Sequence, residues 1–121
     1  MPSLANLRLT DSLRDQDAPA NNLYRVSRGS TIYADAQIAN LFPGQRVQAL
    51  WKDSGNVIAT SEVAIENERE LVWIALRWDV PSSVPSGTYA VVIQVVGPGV
   101  DADGNEIEIV TEIGSLVFQM N

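Results

Sequence analysis

A chain of 121 residues, 45% of them hydrophobic, is long enough to bury one continuous core and too short for two domains. It has no cysteine and no histidine, which excludes thiol nucleophiles, disulfides, thiolate and imidazole metal sites and the commonest general base. A formal net charge of −7 and a pI near 4.3 work against nucleic-acid binding, which needs clustered positive charge, whereas the eight basic residues are scattered.

The opening Met1–Arg8 lacks the basic, apolar and small-residue succession of a signal peptide. The expectation is a protein made without export, or an excised module carrying an added start codon. No apolar run approaches the roughly 20 residues that cross a bilayer, so membrane insertion is not expected.

In chain order, a first strand is predicted around Leu4–Leu9, followed by a polar stretch, Asp11–Asn22, that contains Pro19 and reads as a loop or an edge crossing. Ile32, Ala34, Ala36 and Ile38 then alternate with Tyr33, Asp35, Gln37 and Ala39, the period of a half-buried strand. Phe42-Pro43-Gly44-Gln45 reverses the chain, because proline presets φ and glycine permits positive φ. Val47, Ala49 and Trp51 share the next inward face, and Asp53-Ser54-Gly55-Asn56 closes a hairpin into Val57–Ser61.

Leu71–Val80 is the longest apolar stretch, with Val72, Ile74, Leu76, Trp78 and Val80 on one face and Leu71, Trp73, Ala75, Arg77 and Asp79 on the other. Pro81 and Pro85 stop it. Ser86-Gly87 leads into Thr88–Val96, where Tyr89, Val91, Ile93 and Val95 alternate inward and Val92 and Val96 outward, as does Leu50 on the strand of Val47, Ala49 and Trp51. Gly97-Pro98-Gly99 reads as a break, Asp101–Glu106 as a polar tip, and Ile107–Ile113 and Ser115–Met120 as the closing strands.

Gly87-Thr88-Tyr89-Ala90-Val91 resembles the start of strand F in immunoglobulin-like domains, with Val91 in the place of the second cysteine, and Trp51 looks like their core tryptophan. From about Asp15 to Phe118, through Thr31-Ile32-Tyr33, Pro43-Gly44, Leu50-Trp51 and Pro85-Ser86-Gly87-Thr88-Tyr89, the chain resembles immunoglobulin-like modules of prokaryotic surface proteins and lipoproteins and decoration proteins of phage particles. The resemblance implies an all-β, immunoglobulin-like antiparallel sandwich of about seven to nine strands, forming one domain over 1–121. Residues 1–22 supply an N-terminal strand and polar loop, and 23–121 the sandwich core. Trp51, Ile74, Leu76, Tyr89 and Val91 are the expected core.

Three candidate sites follow. Asp101, Asp103 and Asn105 place oxygen ligands at alternate positions, which suits a weak calcium site, although glycine is fourth rather than sixth in the loop; the alternative is a solvated hairpin tip, and no other cofactor is expected. Glu62, Glu66, Glu68 and Glu70 suggest the paired carboxylates of a glycosidase only on paper, and the reading is a solvated run and no enzyme. Leu71 and Trp73, with Arg77 on the same outward row and Tyr33 on a neighbouring strand, form the candidate interface. Either a partner or a sugar ring covers this apolar row from outside, or a register shift, a bulge or cover by the segment Leu13–Tyr24 accounts for it within the chain.

The expected function is therefore a non-catalytic structural or interaction module: a self-associating subunit such as a virion decoration protein, or a spacer or adhesive module of a surface protein. The expected partner is protein, as a homo-oligomer or larger assembly, and the expected location a virion or cell surface. The alternative is a carbohydrate-binding module that stacks sugars on Trp73 or Tyr33.

Overall fold

In a computed structural model covering residues 1–121, the alternating segments become eight strands and one short 3-10 turn. In chain order these are β1 Ser3–Thr10, the turn Asp15–Asp17, β2 Arg25–Val26, β3 Thr31–Leu41, β4 Arg46–Asp53, β5 Asn56–Ala64, β6 Arg69–Asp79, β7 Gly87–Val100 and β8 Glu106–Met120. β1-β3-β6 form one sheet and β2-β8-β7-β4-β5 the other. Neighbours are antiparallel except β2, which runs parallel to β8. The two sheets pack face to face as a single immunoglobulin-like sandwich.

The predicted inward rows meet between the sheets. Ile32, Ala34, Ala36 and Ile38 of β3 and Ile74, Leu76 and Trp78 of β6 face Val47, Ala49 and Trp51 of β4 and Tyr89, Val91, Ile93 and Val95 of β7, all buried. Trp51 is the hub. Its ring centroid lies 5.0 Å from that of Trp78 and 6.1 Å, edge-on, from that of Phe118. A buried indole N–H needs an acceptor, and Trp51 Nε1 donates to Ser61 Oγ at 3.0 Å, while the Ser61 hydroxyl donates to the Arg77 carbonyl. The Tyr89 hydroxyl donates to the carbonyl of Pro85 at 2.6 Å, four residues upstream, and so pins the entry to β7 as a tyrosine corner.

The turns follow their residues. Gly44, at φ +91°, takes the left-handed position after Pro43, and Gln45 N–H closes onto the Phe42 carbonyl at 3.2 Å. Ser54 and Gly55 both have positive φ, the signature of a type I′ two-residue hairpin joining β4 to β5.

Four expectations are corrected. β1 is a full member of the three-stranded sheet with Leu9 completely buried, so the core draws on residues before 23. Gly97-Pro98-Gly99 does not break the strand: β4 begins at Arg46, opposite Val96, so beyond that point β7 has a ladder partner on the β8 side alone and Pro98 leaves no β4 acceptor unserved. Ile107–Ile113 and Ser115–Met120 are one strand, β8, in which Ile113 is the extra residue of a bulge opposite Ile93/Gln94. Val96 is buried rather than outward-exposed, flanked across the ladder by Arg46 and Val110.

Candidate functional site: the outer face of the three-stranded sheet and the β7–β8 arm

Period-2 alternation sends Arg69, Leu71, Trp73, Ala75, Arg77 and Asp79 of β6 away from the core. Register places Tyr33 opposite Arg77 and Gln37 opposite Trp73, so the four candidate interface residues share one face. Leu71 is 56% exposed, Arg77 is exposed, and Trp73 and Tyr33 are half-buried. Arg77 Nε pairs with Asp79 at 3.0 Å. The Asp79 carboxyl is held below the usual carboxylate range, first by the Thr31 hydroxyl at 2.8 Å and then by Arg77.

Part of this face is roofed by the chain's own N-terminal segment. Leu13 bridges to Pro19, Arg14 N–H donates to the Ala18 carbonyl at 2.7 Å, and Ala20 N–H to that of Ser12 at 3.0 Å, closing the segment into a flap. Its root is fixed where the buried Thr10 hydroxyl donates to Asn21 Oδ1 and Asn21 Nδ2 donates to Asp11 Oδ1 at 2.7 Å. At its crest Gln16 and Asp17 sit at φ 58° and 59°, a left-handed conformation costly for residues with a Cβ. Asp17 and Trp73 line the same hollows, and Trp73 lines a further one with Arg8, Arg14, Asn21 and Asn22, of about 380 Å³. Trp73 is therefore sheltered on the flap side, while Leu71 is left open.

Beneath this roof lies a residue that sequence reasoning missed. The alternation on β3 puts Asp35 on the row of Tyr33 and Gln37, opposite to Ala34 and Ala36. It does leave the core face, yet it is fully buried, and neither carboxyl oxygen has a hydrogen-bond partner. Burial pushes its pKa up to about 7, and the negative charge of Asp17 adds to the effect. The available signal was a lone carboxylate in the middle of the apolar run Thr31–Leu41.

The second feature is an arm. Beyond Val96 the β7–β8 pair continues alone through Gly97–Val100 and Glu106–Ile109, with no strand on either side. The Ile109 side chain folds across Gly99, over the space a Cβ there would take. Val100, Ile107, Ile109 and Val110 are 66%, 41%, 49% and 57% exposed. Five carboxylates and no basic residue lie between Gly87 and Asn121, so the arm and its strands hold most of the net −7. At the arm's root Arg46 bonds Glu62 at 2.8 Å and Glu108 at 2.9 Å. A shallow notch of about 650 Å³ opens there between Gly44, Arg46 and the arm.

At the arm's tip, Asp101 Oδ1 accepts the N–H groups of Asp103 and Asn105, both at 2.9 Å, and Asn105 Nδ2 donates to Asp101 Oδ2 at 3.4 Å. These bonds, the Asn105 backbone foremost, hold the Asp101 carboxyl below its ordinary range. The Asp101 carboxylate thus orders the turn, chiefly through Oδ1. No group of three or more acidic, histidine or cysteine side chains converges anywhere at metal-holding distances. Of the acidic run, Glu62 is tied to Gln48 and Arg46, both at 2.8 Å, and Glu66, Glu68 and Glu70 are exposed.

No family model matches the chain, and no curated protein matches it. No helix is long and apolar enough to cross a membrane.

Proposed function

We propose that this protein is a non-catalytic assembly module that associates with further copies of itself through the outer face of the three-stranded sheet. The observation that carries the reading is Leu71, 56% exposed beside a half-buried Trp73 on a face made of main-sheet strands. An open leucine beside a partly sheltered tryptophan on a rigid sheet suits an anchor at the centre of an interface. The outward strand residues are also poor in free negative charge: Asp79 is paired with Arg77, and Asp35 is buried and pushed up to about 7. For a chain of net charge −7, such a face lowers the repulsion that opposes close approach of a second copy. A virion decoration subunit, or a spacer or adhesive module of a surface protein, would use the face in this way.

A carbohydrate-binding module is the second reading, supported by the hollow in which the Trp73 ring neighbours Arg8, Asn21 and Asn22, an aromatic surface rimmed by hydroxyl-orienting groups. Sedimentation velocity on Trp73→Ala separates the two. The assembly reading expects a shift toward monomer with an unchanged circular dichroism spectrum and melting curve. Unchanged association, with loss of retention on a polysaccharide matrix, supports carbohydrate binding instead.

A further inference from the structure

We infer that the surface meeting the Trp73 face is not a second Trp73 face but the acidic β7–β8 arm of the next copy, so that subunits join head to tail. The inference rests on the assembly reading above and adds the identity of the partner surface.

The arm has the character of an element awaiting cover. A two-stranded ribbon standing clear of its sheet is marginal in water, and its unpaired edges and apolar side chains are an association hazard. Here both edges are free beyond Val96, and Val100, Ile107, Ile109 and Val110 remain largely in solvent. Its carboxylates have no basic partner on their own chain apart from Glu108, which Arg46 takes.

The Trp73 face supplies what the arm lacks. Its apolar centre is Leu71 and Trp73. Arg8 and Arg69, which line hollows with Trp73, are in no ion pair, and both are exposed. Asp17 and Glu66 also line the hollows around Trp73, so the match is local: the exposed guanidiniums of Arg8 and Arg69 are what the arm's carboxylates would meet beside the apolar centre. Face against face would leave the arm's carboxylates and apolar side chains uncovered, and arm against arm would gather Glu106, Glu108 and Glu112 with Arg46 as the one basic side chain at hand. Within one chain the contact cannot close, because the arm extends from the five-stranded sheet while the face is the far side of the other sheet. The contact joins two different surfaces, so it builds a ring or an open row, or a closed pair where two copies exchange arms reciprocally.

Complementation tests it. A face variant, Trp73→Ala or, should that disturb the fold, the exposed Leu71→Asp, is mixed with an arm variant carrying Glu106→Lys, Val100→Ser and Ile107→Ser, all at exposed positions. Each variant alone is expected to associate at least about thirtyfold more weakly than the parent. The mixture is expected to form a 1:1 dimer that grows no further, since one intact arm meets one intact face. An arm variant that associates as the parent does, or two monomeric variants that stay monomeric when mixed, overturns the head-to-tail contact and leaves the assembly reading standing. A face variant that associates as the parent does overturns both.

Discussion

Arg8 and Asp35 are direct cross-strand neighbours on the β1–β3 ladder, yet they form no ion pair. Asp35 is buried with both oxygens unpartnered, while Arg8 lies exposed in the hollow it shares with Trp73. The arginine faces outward toward whatever meets the sheet, and the carboxylate beside it is left to titrate.

That arrangement fixes a sign for the pH dependence. Folding raises the Asp35 pKa from 3.8 to about 7, so the folded state holds its proton more tightly than the unfolded chain. The resulting stabilisation is complete below pH 4 and is lost as pH rises to about 7, at roughly 1.4 kcal/mol per unit of pH between those limits. The charged groups facing Asp35 are Asp17 on the flap, which reinforces the effect, and Arg8 on β1, which would oppose it if it swung inward. Chemical denaturation at pH 5 and pH 8 is expected to show the parent losing several kcal/mol that Asp35→Asn does not lose. Equal losses in the two proteins would place the proton elsewhere.

Trp51 fills the centre of the core, in contact with Trp78 and Phe118. Trp51→Ala is expected to cost about 3–5 kcal/mol in urea unfolding through lost transfer energy and the cavity together. Tyr89→Phe, which removes only the bond to the Pro85 carbonyl, should cost about 1 kcal/mol. The ratio of the two losses tests whether the core aromatic or the corner dominates.

Millimolar calcium is expected to leave the melting temperature unchanged, because Asp101 already accepts two backbone N–H groups in the turn. A cation bound only to the folded state would add about 2.7 kcal/mol at a hundredfold excess over Kd. A rise of several degrees that Asp103→Ala abolishes would show that the turn opens to bind the metal.

The inward rows of β3, β4, β6 and β7 were legible because a period of two is imposed by the strand itself, and the Pro43-Gly44 and Ser54-Gly55 reversals because Gly44 and Gly55 mark where the chain takes positive φ. The outward candidates Leu71, Trp73, Arg77 and Tyr33 fell on one face for the same reason. Asp35 was not legible, since its burial is decided by a flap more than ten residues away in sequence that folds back over the sheet. Pro98 was misread because proline and glycine announce a turn only where the chain needs a partner on both sides, and where β4 ends it does not.

The account rests on association through the Trp73 face, and the mass of the parent protein across a concentration series tests it most directly. Sedimentation equilibrium from micromolar to millimolar is expected to show a weight-average mass rising above 13.2 kDa, with Trp73→Ala holding near that value over the same range. A parent protein that stays at 13.2 kDa throughout would contradict it.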